Sequence, residues 1–243
     1  MIELFLLGSI VGLLSGFFGI GGGTVSVPLL LMFGYDIKTA IGISVVQMVF
    51  SSVYGSYVNN KKGTLDKKLV FFIGSGGFFG ALLSGYVAEI LTPKMLEMLF
   101  LSFVVFALVR VFFSPKQQPQ KEFPNKFLLL LTGFFIGCLS MSVGVGGSLL
   151  LVPILVGFLH VELKRAISAG LFFVVFSSVS GVISHTLSSE IDFTKGIILG
   201  LVSLFGVHVG IHFKDKIDST IQKRLLIVFY TSIICYLIFR SFV

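Results

Sequence analysis

Charge is scarce in this chain. Only 12% of its 243 residues are Asp, Glu, Lys or Arg, where a soluble domain carries about 25%. No polar segment reaches the size of a soluble domain, so nearly all of the chain must lie in or beside a bilayer. Basic residues exceed acidic ones, 18 against 11. In a chain this apolar, short basic loops facing the cytoplasm explain that excess better than nucleic-acid binding does. Cysteine is scarce too. Cys138 and Cys235 stand in apolar stretches with no CxxC or Cys/His spacing, which favours structural thiols over a metal or redox pair. The start, Met1-Ile2-Glu3, lacks the basic n-region of a cleavable signal peptide, and the apolar run after it continues to Phe33. It reads as the first membrane element. Gly19-Ile-Gly-Gly-Gly-Thr24 lacks the Lys of a nucleotide-binding P-loop. The strand and βαβ unit of a dinucleotide fingerprint are missing as well. With no Ser/His/Asp or metal-ligand cluster, the expectation is a non-enzyme with no cofactor and no metal.

What is present is apolar: 55% hydrophobic residues and a mean hydropathy of +1.04. Apolar stretches fall at roughly 2–33, 39–58, 69–91, 95–113, 127–159, 166–186, 196–213 and 223–242. The polar linker is Ser114 to Asn125, and the sequence repeats itself on either side of it. Gly8, Gly12, Gly19, Gly21, Gly22 and Pro28 match Gly133, Gly137, Gly144, Gly146, Gly147 and Pro153 at an offset of 125. Downstream the offset becomes 126, pairing Lys38 with Lys164, Ala40 with Ala166, Ser52 with Ser178, Gly55 with Gly181, Asp66 with Asp192, Gly74 with Gly200 and Gly80 with Gly206. The expected organisation is one transmembrane domain made of membrane repeat 1 (1–113), a polar cytoplasmic linker (114–125) and membrane repeat 2 (126–243).

The first stretch of each repeat has an awkward length. Ile2–Phe33 would span about 48 Å as one helix, against a hydrocarbon core of about 30 Å. Glycines interrupt both copies, in GFFGIGGGTVSVP and SMSVGVGGSLLLVP. A helix through Gly21-Gly22-Gly23 loses about 1 kcal/mol per glycine relative to alanine. Proline is tolerated best in a first turn, so Pro28 and Pro153 point to a helix, a glycine-rich break and a new short helix.

Loop charges decide between topologies. If all eight stretches crossed once, one side would hold ten basic residues and the other eight. If the two broken stretches return to their own side, loops 59–68, 110–126, 160–165 and 213–224 collect fourteen on the cytoplasmic face. Lys38, Lys94, Lys195 and Arg240 stay outside. The positive-inside rule selects the second arrangement. It also turns the halves upside down relative to each other. The expected fold is therefore an all-α, multi-pass integral protein of the bacterial inner membrane. It would have two inverted-topology repeats, each a glycine-broken helix (re-entrant or two short spans) followed by three transmembrane helices. Such architectures belong to transporters, with the site where the breaks meet near the midplane.

Gly12-Leu-Leu-Ser-Gly-Phe-Phe-Gly-Ile-Gly-Gly-Gly running to Val27-Pro28, with the second copy Gly144-Val-Gly-Gly-Ser148 and Pro153, resembles the signature of the TauE/SafE family of membrane permeases. Ala40 with Ser44, and Gly63-Thr64-Leu65-Asp66, resemble it too. The resemblance covers essentially the whole chain and implies export of small sulfur-containing anions such as sulfite, sulfoacetate or related organosulfonates. Ser148 stands where the first copy has Gly23, and Met141 where it has Gly16. The two halves are thus not strictly equivalent.

An oxyanion at the bilayer centre must be compensated, and the spans hold almost no basic side chains away from their ends. Backbone remains. The N–H groups at a helix start are unpaired and sit at the positive end of its dipole, and glycine admits close approach. Gly21, Gly22, Gly23, Gly144, Gly146 and Gly147 are the candidate backbone donors. Thr24, Ser26, Ser142, Ser148, Gln47, Ser51, Ser52, Ser177 and Ser178 are the candidate side-chain partners. Plainer readings stand beside these. Gly8, Gly12, Gly16, Gly206 and Gly210 follow the spacing that lets helices pack closely. Membrane Ser and Thr often bond the carbonyl a turn back, whereas an amide such as Gln47 needs a partner. His208 and His212, one turn apart, would suit a metal or a proton relay, but no Cys or carboxylate is placed to complete a metal site. His185 reads either as an interfacial histidine or as a proton carrier. Glu89 and Glu97 are expected to stay solvated.

No ATPase domain is present, so transport would run on gradients or with a separate partner. One negative charge leaving a cell at about 100 mV gains about 2.3 kcal/mol. A secondary transporter in the lipid bilayer carrying a small anionic substrate is the leading reading. A passive small-anion channel on the same repeats is the alternative, and an intramembrane enzyme or scaffold fits least well. Proton coupling and a homo-oligomer stay open.

Overall fold

The computed structural model describes residues 2–61, 63, 67–112, 125–157, 161, 163–188 and 191–242. The linker at 114–124, Thr64-Leu65-Asp66 and parts of the other expected cytoplasmic loops lie outside the described residues. Among these residues the elements are α-helices: α1 (Ile2–Phe18), α2 (Gly23–Met32), α3 (Ile37–Lys61), α4 (Lys67–Ala81), α5 (Ser84–Ile90), α6 (Pro93–Phe112), α7 (Lys126–Ser142), α8 (Ser148–Gly157), α9 (Leu163–Ser188), α10 (Phe193–Lys216) and α11 (Ser219–Phe242). Five of them (α3, α6, α9, α10 and α11) are long and apolar enough to cross a membrane. The α4/α5 pair, bent by 41°, makes a sixth candidate span. The chain is an all-α integral membrane protein. Large apolar side chains such as Leu6, Phe71, Phe205 and Phe239 stay exposed on its outside, where lipid rather than water suits them.

The long first stretch of each half is broken as its glycines imply. The gap between α1 and α2 holds Gly19, Gly21 and Gly22, and the gap between α7 and α8 holds Gly144, Gly146 and Gly147, all six at positive φ. A side chain at such a φ costs about 1–2 kcal/mol, so glycine runs end the helices here. The prolines sit elsewhere than the first-turn argument suggests. Each is the sixth residue of its short helix, Pro28 after Gly23 and Pro153 after Ser148. The break itself starts the new helix, and proline instead withholds the N–H that the carbonyl four residues back would receive.

Packing interlocks the halves. α1 lies along α10, and α4 lies along α7. Gly12 and Gly16 of α1 press on the carbonyls of Ser203 and Val207, while Gly206 and Gly210 of α10 press on those of Ser9 and Leu13. The counterparts recur: Gly133 and Gly137 of α7 against Ile73 and Gly77, Gly76 and Gly80 of α4 against Leu130 and Phe134. Any Cβ at these positions would meet a backbone oxygen, so these are packing glycines. At the centre, α3 and α9 run in opposite directions. Gly181 faces Val45, and Gly55 faces Leu171.

Two expectations fail outside the breaks. The stretch 69–91 is not one helix but α4 and α5, whereas its counterpart α10 is continuous. At the bend the Ser84 hydroxyl takes the Ala81 carbonyl at 2.7 Å. Ser184 of α9 inserts into the ladder, donating to the Leu82 carbonyl at 2.7 Å and accepting the Gly85 N–H at 2.8 Å. Substituted backbone hydrogen bonds of this kind bend helices. Glu97 is not simply solvated. It is half-buried and paired with Arg240 at 3.4 Å, tying α6 to α11.

Candidate functional site

Gly22 opens α2 at φ 82° with no side-chain cap, and its carbonyl accepts the N–H groups of Val25 and Ser26 at 2.9 and 2.8 Å. The N–H groups before Val25 precede the first such bond and have no acceptor within the helix. α8 begins the same way, with the Gly147 carbonyl accepting from Leu150 and Leu151 at 3.2 and 2.9 Å. Both starts are fully buried, and no Asp, Glu, Lys or Arg occurs in 19–26 or 143–152. Within these two segments the positive electrostatic features are peptide N–H groups and two helix-dipole ends.

The two breaks touch. Gly23 packs directly on the Gly144 carbonyl, leaving no room for a Cβ, and a Cβ on Gly21 would stand 3.3 Å from Ser148 Oγ. Met48 of α3 and Val174 of α9, equivalent residues at the 126 offset, lie against the breaks, Val174 beside Gly21 and Gly146 and Met48 beside Gly23 and Gly146. The Met48 sulfur lies 2.6 Å from where a Gly146 Cβ would be. Hydroxyls of α2, α3 and α9 fasten the breaks. Ser26 donates to Ser44 at 2.7 Å, Ser44 to the Gly144 carbonyl at 2.9 Å, and Ser177 to the Gly146 carbonyl at 2.9 Å.

Three buried polar atoms here have no hydrogen-bond partner in the structure: Thr24 Oγ1, Ser148 Oγ and Gln47 Oε1. All three residues are 0% exposed. An unsatisfied buried polar group costs about 1–3 kcal/mol, so three around one pair of helix starts call for a ligand or water. The Gln47 amide is held from one side, Nε2 donating to Ser203 Oγ at 3.1 Å. Its oxygen faces Gly22, within 2.5 Å of a would-be Cβ. The corresponding position against Gly147 is occupied by Phe173. The arrangement is therefore polar on one side and aromatic on the other.

The structure thus gathers Gly21, Gly22, Gly23, Thr24, Gln47, Gly144, Gly146, Gly147 and Ser148, with Ser26 and Ser177 as fastenings. It does not gather the rest in the same sense. Ser51, Ser52 and Ser178 donate to carbonyls three residues back at 3.4 Å, and Ser142 donates to Cys138 at 2.7 Å. Sequence reasoning passed over Ser203, Met48 and Phe173. The 126 offset pairs Phe173 with Gln47 and so carried a signal for Phe173; nothing local marks Ser203. His208 Nδ1 bonds the Tyr54 hydroxyl at 2.8 Å, away from the breaks. Among the described residues no group of three or more His, Cys, Asp or Glu is placed to hold a metal ion.

With this geometry in view, comparison with known proteins is direct. The family model described as sulfite exporter TauE/SafE matches residues 4–237. The "Probable membrane transporter protein YdhB" of Bacillus subtilis is 26% identical, covering 89% of this chain and 91% of the relative. "Probable membrane transporter protein YunE" of the same organism is 24% identical over 98% and 97%. "Probable membrane transporter protein MJ0441" of Methanocaldococcus jannaschii is 25% identical over 92% and 90%. No solved structure matches the chain.

Proposed function

The chain belongs to the sulfite exporter TauE/SafE family of membrane transporters, and on that premise we propose that it is a secondary transporter exporting small sulfur oxyanions, sulfite or organosulfonates. The anion binds near the midplane, between the starts of α2 and α8. One observation carries the reading: two uncharged, fully buried helix starts abut, with the hydroxyls of Thr24 and Ser148, both able to donate, unpartnered around them. Gln47 Oε1, also unpartnered, accepts only and pairs with a protonated oxygen of the anion, as in hydrogen sulfite. Peptide N–H donors and two dipole ends suit a tetrahedral or pyramidal oxyanion. Thr24 and Ser148 donate hydroxyl hydrogens. Ser44 and Ser177 hold the flanking carbonyls of Gly144 and Gly146, so these oxygens are occupied rather than facing the anion.

Transport follows from the two halves being inverted repeats that move against each other around this site. The opposite directions of α3 and α9 and the matched α1–α10 and α4–α7 contacts support that reading. In the orientation with loops 59–68, 110–126, 160–165 and 213–224 in the cytoplasm, the membrane potential drives an anion outward. The test is flux of labelled sulfite, sulfate, sulfoacetate and acetate in proteoliposomes with and without an imposed potential. Saturable, potential-responsive flux of a sulfur anion is expected. Flux of none of the four, or non-saturating flux at channel rates, would overturn the reading.

A further inference from the structure

Burial of a cationic side chain in a membrane protein is expensive and needs a reason. Among the described residues Lys214 is the lysine or arginine that is buried, at 3% exposure. It lies near the C-terminal end of α10, and its ammonium donates to Asn59 Oδ1 of α3 at 3.1 Å; Asn59 is itself 0% exposed. Both helices end here in basic loops that the charge distribution places in the cytoplasm.

From this pair a polar seam runs to the broken helices. On α3 the buried residues Ser44, Gln47, Ser51, Gly55 and Asn59 recur every three or four positions and share one face. α10 answers with Gly200, Ser203, Val207 and Lys214. Three contacts register the two faces. Gln47 Nε2 donates to Ser203 Oγ at 3.1 Å, Val207 lies 3.6 Å from a would-be Gly55 Cβ, and Lys214 meets Asn59. An unsatisfied polar atom therefore occurs at the midplane end (Gln47 Oε1), with a buried ammonium at the far end.

The opposite half has no buried cation at the equivalent place. At the 126 offset Asn59 corresponds to His185 and Lys214 to Ala88. These two line a cramped pocket of about 40 Å³ with Lys38 and Glu89, where the Lys38 ammonium is already held by the Glu89 carbonyl at 3.1 Å.

We propose that Lys214, exchanging Asn59 and its other contacts for the anion, is the cytoplasmic capture site for the oxyanion, from which it passes along the α3–α10 seam to the starts of α2 and α8. This rests on the transport reading above. An ammonium suits any small oxyanion and does not select among them; selection falls to the Gln47 end. Because the outer half has Ala88 at the equivalent place, capture is one-sided. Lys214 cannot change the equilibrium across the membrane. It lowers KM from the cytoplasm and leaves KM from outside to other groups.

The test uses the full chain in proteoliposomes of known orientation, with sulfite and sulfoacetate as probes. KM is measured from each side for the wild type, Lys214→Gln, Lys214→Arg and Asn59→Asp. Lys214→Gln should raise KM from the cytoplasmic side by about tenfold or more, the loss expected for one charge-assisted hydrogen bond. KM from outside should stay unchanged, with Vmax in that direction falling in step so that the equilibrium is preserved. Arginine should restore most of the cytoplasmic KM. Asn59→Asp, which neutralises the ammonium without removing it, should reproduce the glutamine variant. Equal KM changes on both sides, or none, in a protein whose wild type transports either probe would overturn the capture site alone. A wild type that transports neither probe would overturn the function reading and this inference with it.

Discussion

Gly22 and Gly34 have nearly the same positive φ, 82° and 84°, but not the same surroundings. A Cβ on Gly34 meets nothing within 4 Å, whereas one on Gly22 would stand 2.5 Å from Gln47 Oε1 and 2.9 Å from its Nε2. The pair separates conformational cost from what happens at the break. Alanine in the left-handed region costs about 1–2 kcal/mol, partly offset by about 0.4–1 kcal/mol of lost freedom in the unfolded chain. Gly34→Ala should therefore lose about 1 kcal/mol. Gly22→Ala carries at least that cost, because its ψ of −41° lies outside the left-handed basin, and it also displaces the Gln47 amide. That breaks the bond to Ser203, about 1 kcal/mol net, and leaves more of a buried amide unsatisfied, about 1–3 kcal/mol. The expected total is about 3 kcal/mol or more. Thermal unfolding in detergent reads the stability difference, and flux in proteoliposomes reads function. Gly22→Ala should transport at least about tenfold more slowly because the amide oxygen and the α2 start have moved. Gly34→Ala should stay near wild type. If the two variants lose equal stability and both transport normally, the abutment of Gly22 and Gln47 has no part in the mechanism.

Three further outcomes are expected. Gln47→Leu should abolish transport while changing stability by no more than about 1 kcal/mol, since Ser203 keeps its own bond to the Gly200 carbonyl at 2.7 Å; unchanged flux would remove Gln47 from the site. Gly80→Leu should destabilise by about 3 kcal/mol or more, because any side chain there meets the Phe134 carbonyl and forces α4 off α7; a melting temperature equal to wild type would refute the packing account. Asp192 caps α10, accepting the Lys195 N–H at 3.0 Å and pairing with its ammonium at 2.9 Å. The Lys195 backbone N–H, followed by its side chain, holds the carboxyl below its ordinary value of 3.8. A lowered native value makes this contribution full above about pH 4 and lost as pH falls through the lowered value. Asp192→Ala should therefore cost about 1 kcal/mol at pH 7, and its difference from wild type, followed by unfolding at stepped pH, should shrink below about pH 4.

The breaks were legible in the sequence because their glycines recur at one offset and no ordinary helix tolerates three of them in four positions. The helix starts were harder to place. Proline suggested starts near Pro28 and Pro153, but Gly22 and Gly147 set them five residues earlier. The bend between α4 and α5 could not be read locally, since it depends on Ser184, which comes from α9. The same holds for Ser203 against Gln47 and Asn59 against Lys214, whose partners are more than 150 residues apart. Serines sort only in three dimensions. Ser26 and Ser177 reach across to another element, while Ser51, Ser52 and Ser178 fold back onto their own helices, and nothing in their flanking residues separates the two groups.

The most direct test of a midplane oxyanion site is substrate protection at Ser148, whose hydroxyl is unpartnered at the start of α8. With Cys138 and Cys235 replaced by serine, Ser148→Cys in membranes is treated with a small thiosulfonate reagent in the presence and absence of sulfoacetate. A saturable slowing of labelling by sulfoacetate, with no slowing by acetate, is the predicted result. Labelling at the same rate with and without sulfoacetate, in a protein that transports it, would place the anion somewhere other than between the two broken helices.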